Sequence, residues 1–240
     1  FGFAVDISQR YRLNGPIVSR DRPHFFADTS FLRLITLTRG KKMKRFQDMA
    51  LAPELKAALH DLKFETPTEI QEAVYQTAFE GSDLMACAET GSGKTGAYSI
   101  PMVSKLIENP KSCALILAPT RELVHQIADF IRDLIKDTPD LRATSLVGGA
   151  DIKKQLRALK KNPRIIVATP GRLIDHLKRQ SLKLSSTELL VLDEGDRMLD
   201  MGFAPQLNQI LKYLPQKRQT MLFTSTLPEK VKKLAEAYTV

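Results

Sequence analysis

Leu84-Met85-Ala86-Cys87-Ala88-Glu89-Thr90-Gly91-Ser92-Gly93-Lys94-Thr95 begins as a short apolar run and becomes, from Ala88, a glycine-punctuated loop ending in Lys-Thr. The run has the length of a buried strand, and the loop has the residues of a phosphate cradle, with Ala88 where such loops usually carry their first glycine. Gly91 and Gly93 let successive backbone N–H groups turn toward one anion, framed by Glu89, Thr90 and Ser92. Lys94 is placed to reach β- and γ-phosphates, and the Thr95 hydroxyl to bind Mg2+. A helix beginning near Lys94 adds its positive dipole end.

Outward from this stretch the same design repeats. Further apolar runs stand at Ala114–Ala118, Thr144–Val147, Ile165–Ala168, Leu189–Asp193 and Met221–Ser225, with amphipathic stretches between them. Leu123, Ile127, Phe130 and Leu134, with Ile131 and Ile135 alongside, repeat near 3.6 residues; Ile152, Leu156, Leu159 and Val231, Leu234, Ala235 continue the pattern. Strand and helix in alternation predict an α/β fold: a mainly parallel sheet flanked by helices on both faces. Ligands of such sheets bind beyond the carboxyl ends of the strands, so the chemistry should follow each apolar run.

It does. Leu189-Leu190-Val191-Leu192 delivers Asp193-Glu194-Gly195-Asp196. Asp193 at a strand end is suited to Mg2+, through water because that ion keeps much of its hydration shell. Glu194 is suited to orienting a water for attack on a γ-phosphate. Upstream, Phe64-Glu65-Thr66-Pro67-Thr68-Glu69-Ile70-Gln71 reads as a capped helix entry. It also holds an aromatic ring that could stack on a base, and a glutamine whose amide matches the adenine edge.

Composition bounds the rest. The 240 residues are 43% hydrophobic and 26% charged, ordinary for a globular chain. No apolar run approaches the ~18–20 residues of a membrane span, and no secretory signal opens the chain. Cys87 and Cys113 sit in apolar runs and read as small buried hydrophobes, which suggests a reducing, cytoplasmic compartment. The net charge of +9 is unevenly spread. Residues 1–42 carry Arg10, Arg12, Arg20, Arg22, Arg33, Arg39, Lys41 and Lys42 against Asp6, Asp21 and Asp28. They show no sustained period and are expected to be an extension, either upstream sequence ahead of a natural start at Met43 or a basic arm adding RNA affinity. Residues 43–240 are expected to form the domain.

Together these residues resemble the DEAD-box family of superfamily 2 RNA helicases, specifically its N-terminal RecA-like P-loop domain in bacterial-type form. The resemblance runs from about Phe46 to the C-terminus. It rests on Phe46 and Phe64 to Gln71, the Ala88–Thr95 loop, Pro119-Thr120-Arg121-Glu122-Leu123, the Gly148-Gly149 pair, Thr169-Pro170-Gly171-Arg172, Asp193–Asp196 and Thr224-Ser225-Thr226. It implies ATP and Mg2+ as cofactors, with Phe64 stacking on adenine, Gln71 reading its edge, and Phe46 supporting the pocket. It implies sequence-independent RNA-backbone contacts from Pro119, Thr120, Arg121, Gly148, Gly149, Thr169, Pro170, Gly171 and Arg172. Asp196, Thr224, Ser225 and Thr226 would couple hydrolysis to RNA separation.

Three positions depart from the family pattern. Gly195 replaces alanine, Thr224-Ser225-Thr226 replaces Ser-Ala-Thr, and Lys63 replaces a glycine. The resemblance also implies a second RecA-like domain supplying arginines, of which nothing is found before Val240; this lobe alone is expected to be weakly active at best. The competing expectations are a non-catalytic ATP-dependent RNA clamp or RNP assembly module, and a DNA-acting P-loop ATPase.

Overall fold

The computed structural model describes residues 33–35 and 45–239. Strand β1 (Arg33–Ile35) precedes a 3-10 turn at Phe46–Asp48, then helices α1 (Pro53–Asp61) and α2 (Glu69–Glu80). Next come β2 (Leu84–Cys87), α3 (Lys94–Glu108), β3 (Cys113–Leu117), α4 (Arg121–Leu134) and β4 (Ala143–Leu146). The chain continues through α5 (Ile152–Leu159), β5 (Ile165–Ala168), α6 (Pro170–Lys178) and β6 (Thr187–Leu192). It ends with α7 (Gly195–Asp200), α8 (Ala204–Leu211), β7 (Gln219–Thr224) and α9 (Glu229–Tyr238).

Among the described residues, seven strands form one sheet in the order β1-β2-β7-β6-β3-β5-β4, every pair parallel. All six apolar runs are strands, each within two residues of the expected bounds at its start and one at its end. The parallel α/β sheet expected from the sequence is therefore present. It has the RecA-like arrangement.

Strand residues alternate between two cores, as a sheet covered on both faces requires. On β6, Leu189 and Val191 join one core and Leu190 and Leu192 the other; on β7, Met221 and Phe223 face opposite to Leu222. The first core is closed by α1 to α4, through Leu55, Leu59, Ile70, Val74, Val103 and Ile127 among others. The second is closed by α5 to α9, through Leu159, Leu173, Met198, Leu207 and Val231. The periodic positions Ile127, Ile131 and Leu134 are buried; Leu123 and Phe130 pack at the margin. Among the described residues no helix is long and apolar enough to cross a membrane.

Two findings differ from expectation. Arg33–Ile35, inside the expected extension, pairs with β2 in the register Arg33 with Leu84 and Ile35 with Ala86. Three residues are too few to show a period, and the pairing is set by an exposed edge of β2 some fifty positions away. The other basic residues of the extension, and Met43, lie outside the described residues. Cys87 and Cys113 are free thiols as expected, yet half-buried rather than buried. The Cys87 thiol donates to the Ser225 carbonyl at 3.6 Å, and burial pushes its pKa up.

Candidate functional site

Loop 88–93 leaves the carboxyl end of β2 and turns into α3. Gly91 and Gly93 have φ of 84° and 95°, so the turn uses backbone conformations that other residues adopt at a cost. A side chain at Gly93 would also meet Gln71 Nε2 at 2.8 Å and Thr68 Oγ1 at 2.9 Å. The reason is that the start of α2 presses directly on the loop. Gln71 Oε1 accepts from the Thr68 amide at 2.9 Å in a capping box, and Gln71 Nε2 donates to the Gly93 carbonyl at 3.1 Å. Gln71 is thus 5% exposed and ties the helix entry to the phosphate loop. One N–H and one lone pair of its amide are left for a further partner.

The aromatic residues expected to line this region are also together. Phe64 lies between Phe46 and Phe130, with centroid distances of 6.2 and 5.5 Å. Phe130, from the margin of α4, was read in the sequence only as part of a helix face. Gly96 was missed too: a Cβ there would come within 2.5 Å of Gln71 Nε2 and 3.4 Å of Phe64, so its bareness lets α2 and the ring approach α3.

Asp193 follows β6 and is 3% exposed. Its backbone N–H donates to the Leu117 carbonyl at 2.9 Å, which fixes the strand end. Burial pushes its carboxyl up from 3.8 to about 6, opposed by a hydrogen bond from Tyr98 and by the charge of Lys94. Tyr98 donates its hydroxyl to Asp193 Oδ2 at 2.9 Å, while Glu194 N donates to Oδ1 at 2.9 Å. The Tyr98 hydroxyl also meets the Thr95 hydroxyl, so one buried phenol joins the two residues expected at Mg2+. Burial, followed by the neighbouring Asp193 charge, raises the Tyr98 pKa well above its ordinary value, keeping it a donor.

Sequence reasoning overlooked Tyr98. Its signal was a tyrosine four residues after Lys94, on the inward face of α3, where a hydroxyl needs a partner. Glu194 adopts left-handed backbone, φ 53° and ψ 50°, and pairs with Arg197 Nη1 at 3.1 Å. A non-glycine residue in this conformation is strained, as at many functional turns.

Strand β7 lies between β2 and β6, so Thr224-Ser225-Thr226 emerges between the loop and the carboxylates. Asp196 Oδ2 accepts from Ser225 N at 3.2 Å, Thr226 N at 2.9 Å and Thr226 Oγ1 at 2.8 Å. Burial alone would raise the Asp196 pKa, but the Thr226 hydroxyl, then the Arg197 and Thr226 amides, hold it below the ordinary carboxylate value. Thr224 donates to the Thr226 carbonyl at 2.7 Å. Ser225 Oγ accepts from Lys94 Nζ at 2.9 Å, and Lys94 also donates to the Ala88 carbonyl at 2.8 Å.

Gly195, at the start of α7, sits under Leu222; a Cβ would lie 2.7 Å from Leu222 Cδ1. The missing methyl is therefore filled by a neighbour.

The remaining predicted residues gather at the ends of β3, β5 and β4. Thr120 caps α4, its hydroxyl accepting from Leu123 N at 3.2 Å. Thr169 precedes Pro170, the first residue of α6, and makes no side-chain cap. Arg121 lies across Gly149, whose φ is 77°; a Cβ there would fall 2.2 Å from Arg121 Nη1. Arg172 Nη2 donates to the Ala150 carbonyl at 3.1 Å, while its buried Nε has no partner. Both arginines thus converge on the Gly148-Gly149-Ala150 turn. Pro119 is buried behind them and Gly171 is exposed beside them.

This surface has a brace that the sequence did not reveal. His176 is fully buried, with Nε2 3.0 Å from Gln155 Oε1 and Nδ1 2.8 Å from Ser181 Oγ. Gln155 Nε2 donates to the Val147 carbonyl at 2.9 Å, so α5, α6 and the end of β4 are joined. Burial, then the charge of Arg172, lowers the His176 pKa.

Residues 68–234 match the family described as DEAD/DEAH box helicase. The chain is 42% identical over 197 residues to the ATP-dependent RNA helicase CshA of Listeria monocytogenes, covering 82% of the chain and 38% of that protein. It is 46% identical over 196 residues to the ATP-dependent rRNA helicase rrp3 of Aspergillus fumigatus, covering 81% and 41%. Against the DEAD-box ATP-dependent RNA helicase CshA of Bacillus subtilis it is 43% identical over 196 residues, covering 80% and 39%. The chain thus spans less than half the length of these relatives. With the matched segment holding the loop, the strand-end carboxylates and the arginine-glycine turn in one sheet, the chain belongs to the DEAD/DEAH box helicase family.

Proposed function

We propose that this chain is the nucleotide-binding lobe of an ATP-dependent RNA helicase, acting on ATP with Mg2+ and gripping an RNA backbone. The observation that carries the reading is the partition of the sheet. The loop, Asp193–Asp196 and Thr224–Thr226 end β2, β6 and β7, three neighbouring strands. The arginine-glycine elements end β3, β5 and β4, the next three. Two ligand surfaces therefore share one edge of one sheet.

The donor set fits the expected groups. Asp193 is a buried carboxylate whose ionised form gains most from a cation, and the Thr95 hydroxyl stands across Tyr98 from it. One carboxylate and one hydroxyl suit Mg2+, which takes its other ligands from water and phosphate. When bound, Mg2+ would offset the charge of the phosphate oxygens. Tyr98 would hold Asp193 in position, and Glu194, fixed by its left-handed backbone, would orient the attacking water. Lys94 would bind the terminal phosphates, Gln71 and Phe64 the adenine, and the helix starts at Thr120 and Thr169 the RNA phosphates. A second RecA-like domain would complete the site with arginines, worth ~10³–10⁵ in rate. A cytoplasmic location fits the two free thiols.

The RNA-clamp alternative draws on Gly195 and the altered Thr224-Ser225-Thr226 element. Catalysis is the better reading because every carboxylate remains hydrogen-bonded in place. The test has two arms. Fluorescent ADP should bind the 240-residue chain with Mg2+, be displaced by ATP and not by GTP, and fail to bind Lys94→Ala. The intact protein should turn over ATP faster with RNA than with DNA. No nucleotide binding, or no RNA-stimulated turnover, would overturn the proposal.

A further inference from the structure

Lys94 is 8% exposed, and an ammonium buried to that degree requires partners. It has two, the Ala88 carbonyl and the Ser225 hydroxyl, which occupy two of its three donors. Both are neutral acceptors on the sheet side of the loop. Neither is a phosphate mimic, and neither bond can persist unchanged if Nζ turns to face an anion in the cradle.

The Ser225 hydroxyl is held there by its main chain. Ser225 N donates to Asp196 Oδ2 at 3.2 Å, and its carbonyl accepts from the Cys87 thiol at 3.6 Å. Thr226 adds two further bonds to the same carboxylate oxygen, at 2.9 and 2.8 Å. None of these four contacts uses the Ser225 side chain. An alanine at this position, usual in the family that the chain resembles, would keep the frame and lose only the bond to Lys94.

We propose that the Ser225 hydroxyl is a latch on Lys94 that lowers affinity for nucleotides bearing a β-phosphate. The proposal rests on residues 84–95 being a triphosphate site, and it concerns this chain's own departure from the family pattern. In the nucleotide-free chain the latch holds Nζ on the β7 side. A diphosphate or triphosphate must win Nζ from the hydroxyl, whereas a monophosphate, bound by loop amides alone, need not. The latch thereby sets which nucleotides the loop retains.

The test compares the wild-type chain with Ser225→Ala and Ser225→Thr, titrating ADP, ATP and AMP against a fluorescent nucleotide. A hydrogen bond to a charged group is worth roughly tenfold in binding at the low end. Ser225→Ala should therefore bind ADP and ATP about tenfold more tightly, with AMP unchanged and Ser225→Thr near wild type. A second readout needs no nucleotide: Lys94 in Ser225→Ala should react faster with an amine-acylating reagent, followed at that residue by mass spectrometry. Unchanged ADP affinity would overturn the latch. So would a parallel shift for AMP, which would mean general loosening of the loop. If the wild-type chain bound neither ADP nor ATP, the triphosphate site itself would fall and the latch with it.

Discussion

Gly195 and Leu222 should behave as one unit, and Gly195→Ala tests this. The new Cβ would stand 2.7 Å from Leu222 Cδ1, about 1 Å inside the ordinary 3.5–4.0 Å carbon contact. Leu222 is 1% exposed, and its strand is paired on both sides, with β2 and β6, so its backbone has little room to retreat. Relief must come from the Leu222 side chain, at ~1–3 kcal/mol for an overpacked core. Against this, alanine at a helix start regains up to ~1 kcal/mol of backbone entropy. The net expectation is destabilisation by about 1–2 kcal/mol.

Leu222→Val should cost about 1 kcal/mol alone and relieve the clash when combined with Gly195→Ala. The double variant should therefore be less destabilised than the sum of the singles by about 1 kcal/mol, within the range of contacting residues. Urea unfolding of all four chains at matched slopes gives the cycle. A neutral Gly195→Ala, or additivity within ~0.3 kcal/mol, would refute the idea that Leu222 occupies the missing methyl's place. Gly195→Ala should not raise ATP turnover, because it adds no charged or hydrogen-bonding group.

Other expectations follow from the same contacts. Asp193 has a folded-state pKa of about 6 against an ordinary 3.8, so its burial favours folding below pH 4 and that contribution is lost as pH rises through 6, by ~3 kcal/mol. Asp193→Asn keeps an oxygen for Glu194 N but no longer accepts from the Tyr98 hydroxyl (~1 kcal/mol), yet removes the charge. In chelator at pH 8 its melting point should exceed wild type by about 2–8 °C, the gain vanishing near pH 4; a deficit at pH 8 would contradict the burial argument. Gly149→Ala places a methyl against Arg121 at a left-handed φ, so single-stranded RNA should bind about tenfold or more weakly by fluorescence anisotropy, with a melting loss of about 2–8 °C from the backbone strain. Equal affinity would remove Arg121 from the RNA surface. Gln71→Ala breaks the capping box and the Gly93 bond, and should cost about 1–2 kcal/mol in urea unfolding without nucleotide; wild-type stability would limit Gln71 to ligand contact.

The sheet and the place of the candidate residues at its strand ends were legible because both are local signals. Ile165–Ala168 is apolar for four residues, and Thr169-Pro170 can only begin a helix; no distant information is needed to read either. What the sequence hid is what depends on distant pairs. Tyr98 and Asp193 are 95 positions apart, Lys94 and Ser225 131, and nothing in either neighbourhood names the other. Gln155 follows Lys153 and Lys154 in sequence with nothing to mark it as inward, yet it is buried because His176 and the Val147 carbonyl satisfy its amide. Gln71 combined two uses: its type suggested a base edge, while its spacing from Thr68 also made a capping box. Strand β1 was too short for periodicity, and only the open edge of β2 explains it.

The position of β7 also bears on how the domain is made. Its neighbours β2 and β6 are complete by residue 192, while β7 begins at Gln219. A chain emerging from the ribosome would expose the phosphate loop long before the strand that separates it from the carboxylates. Until then β2 has no partner on that side. Late insertion of a central parallel strand is a non-local, slow event, and it leaves edges open meanwhile. A chain stopped upstream of β7 would keep the Lys94 bond to Ala88 and the Gln71 bond to Gly93, but would lack the Ser225 hydroxyl on Lys94 and the two amides on Asp196.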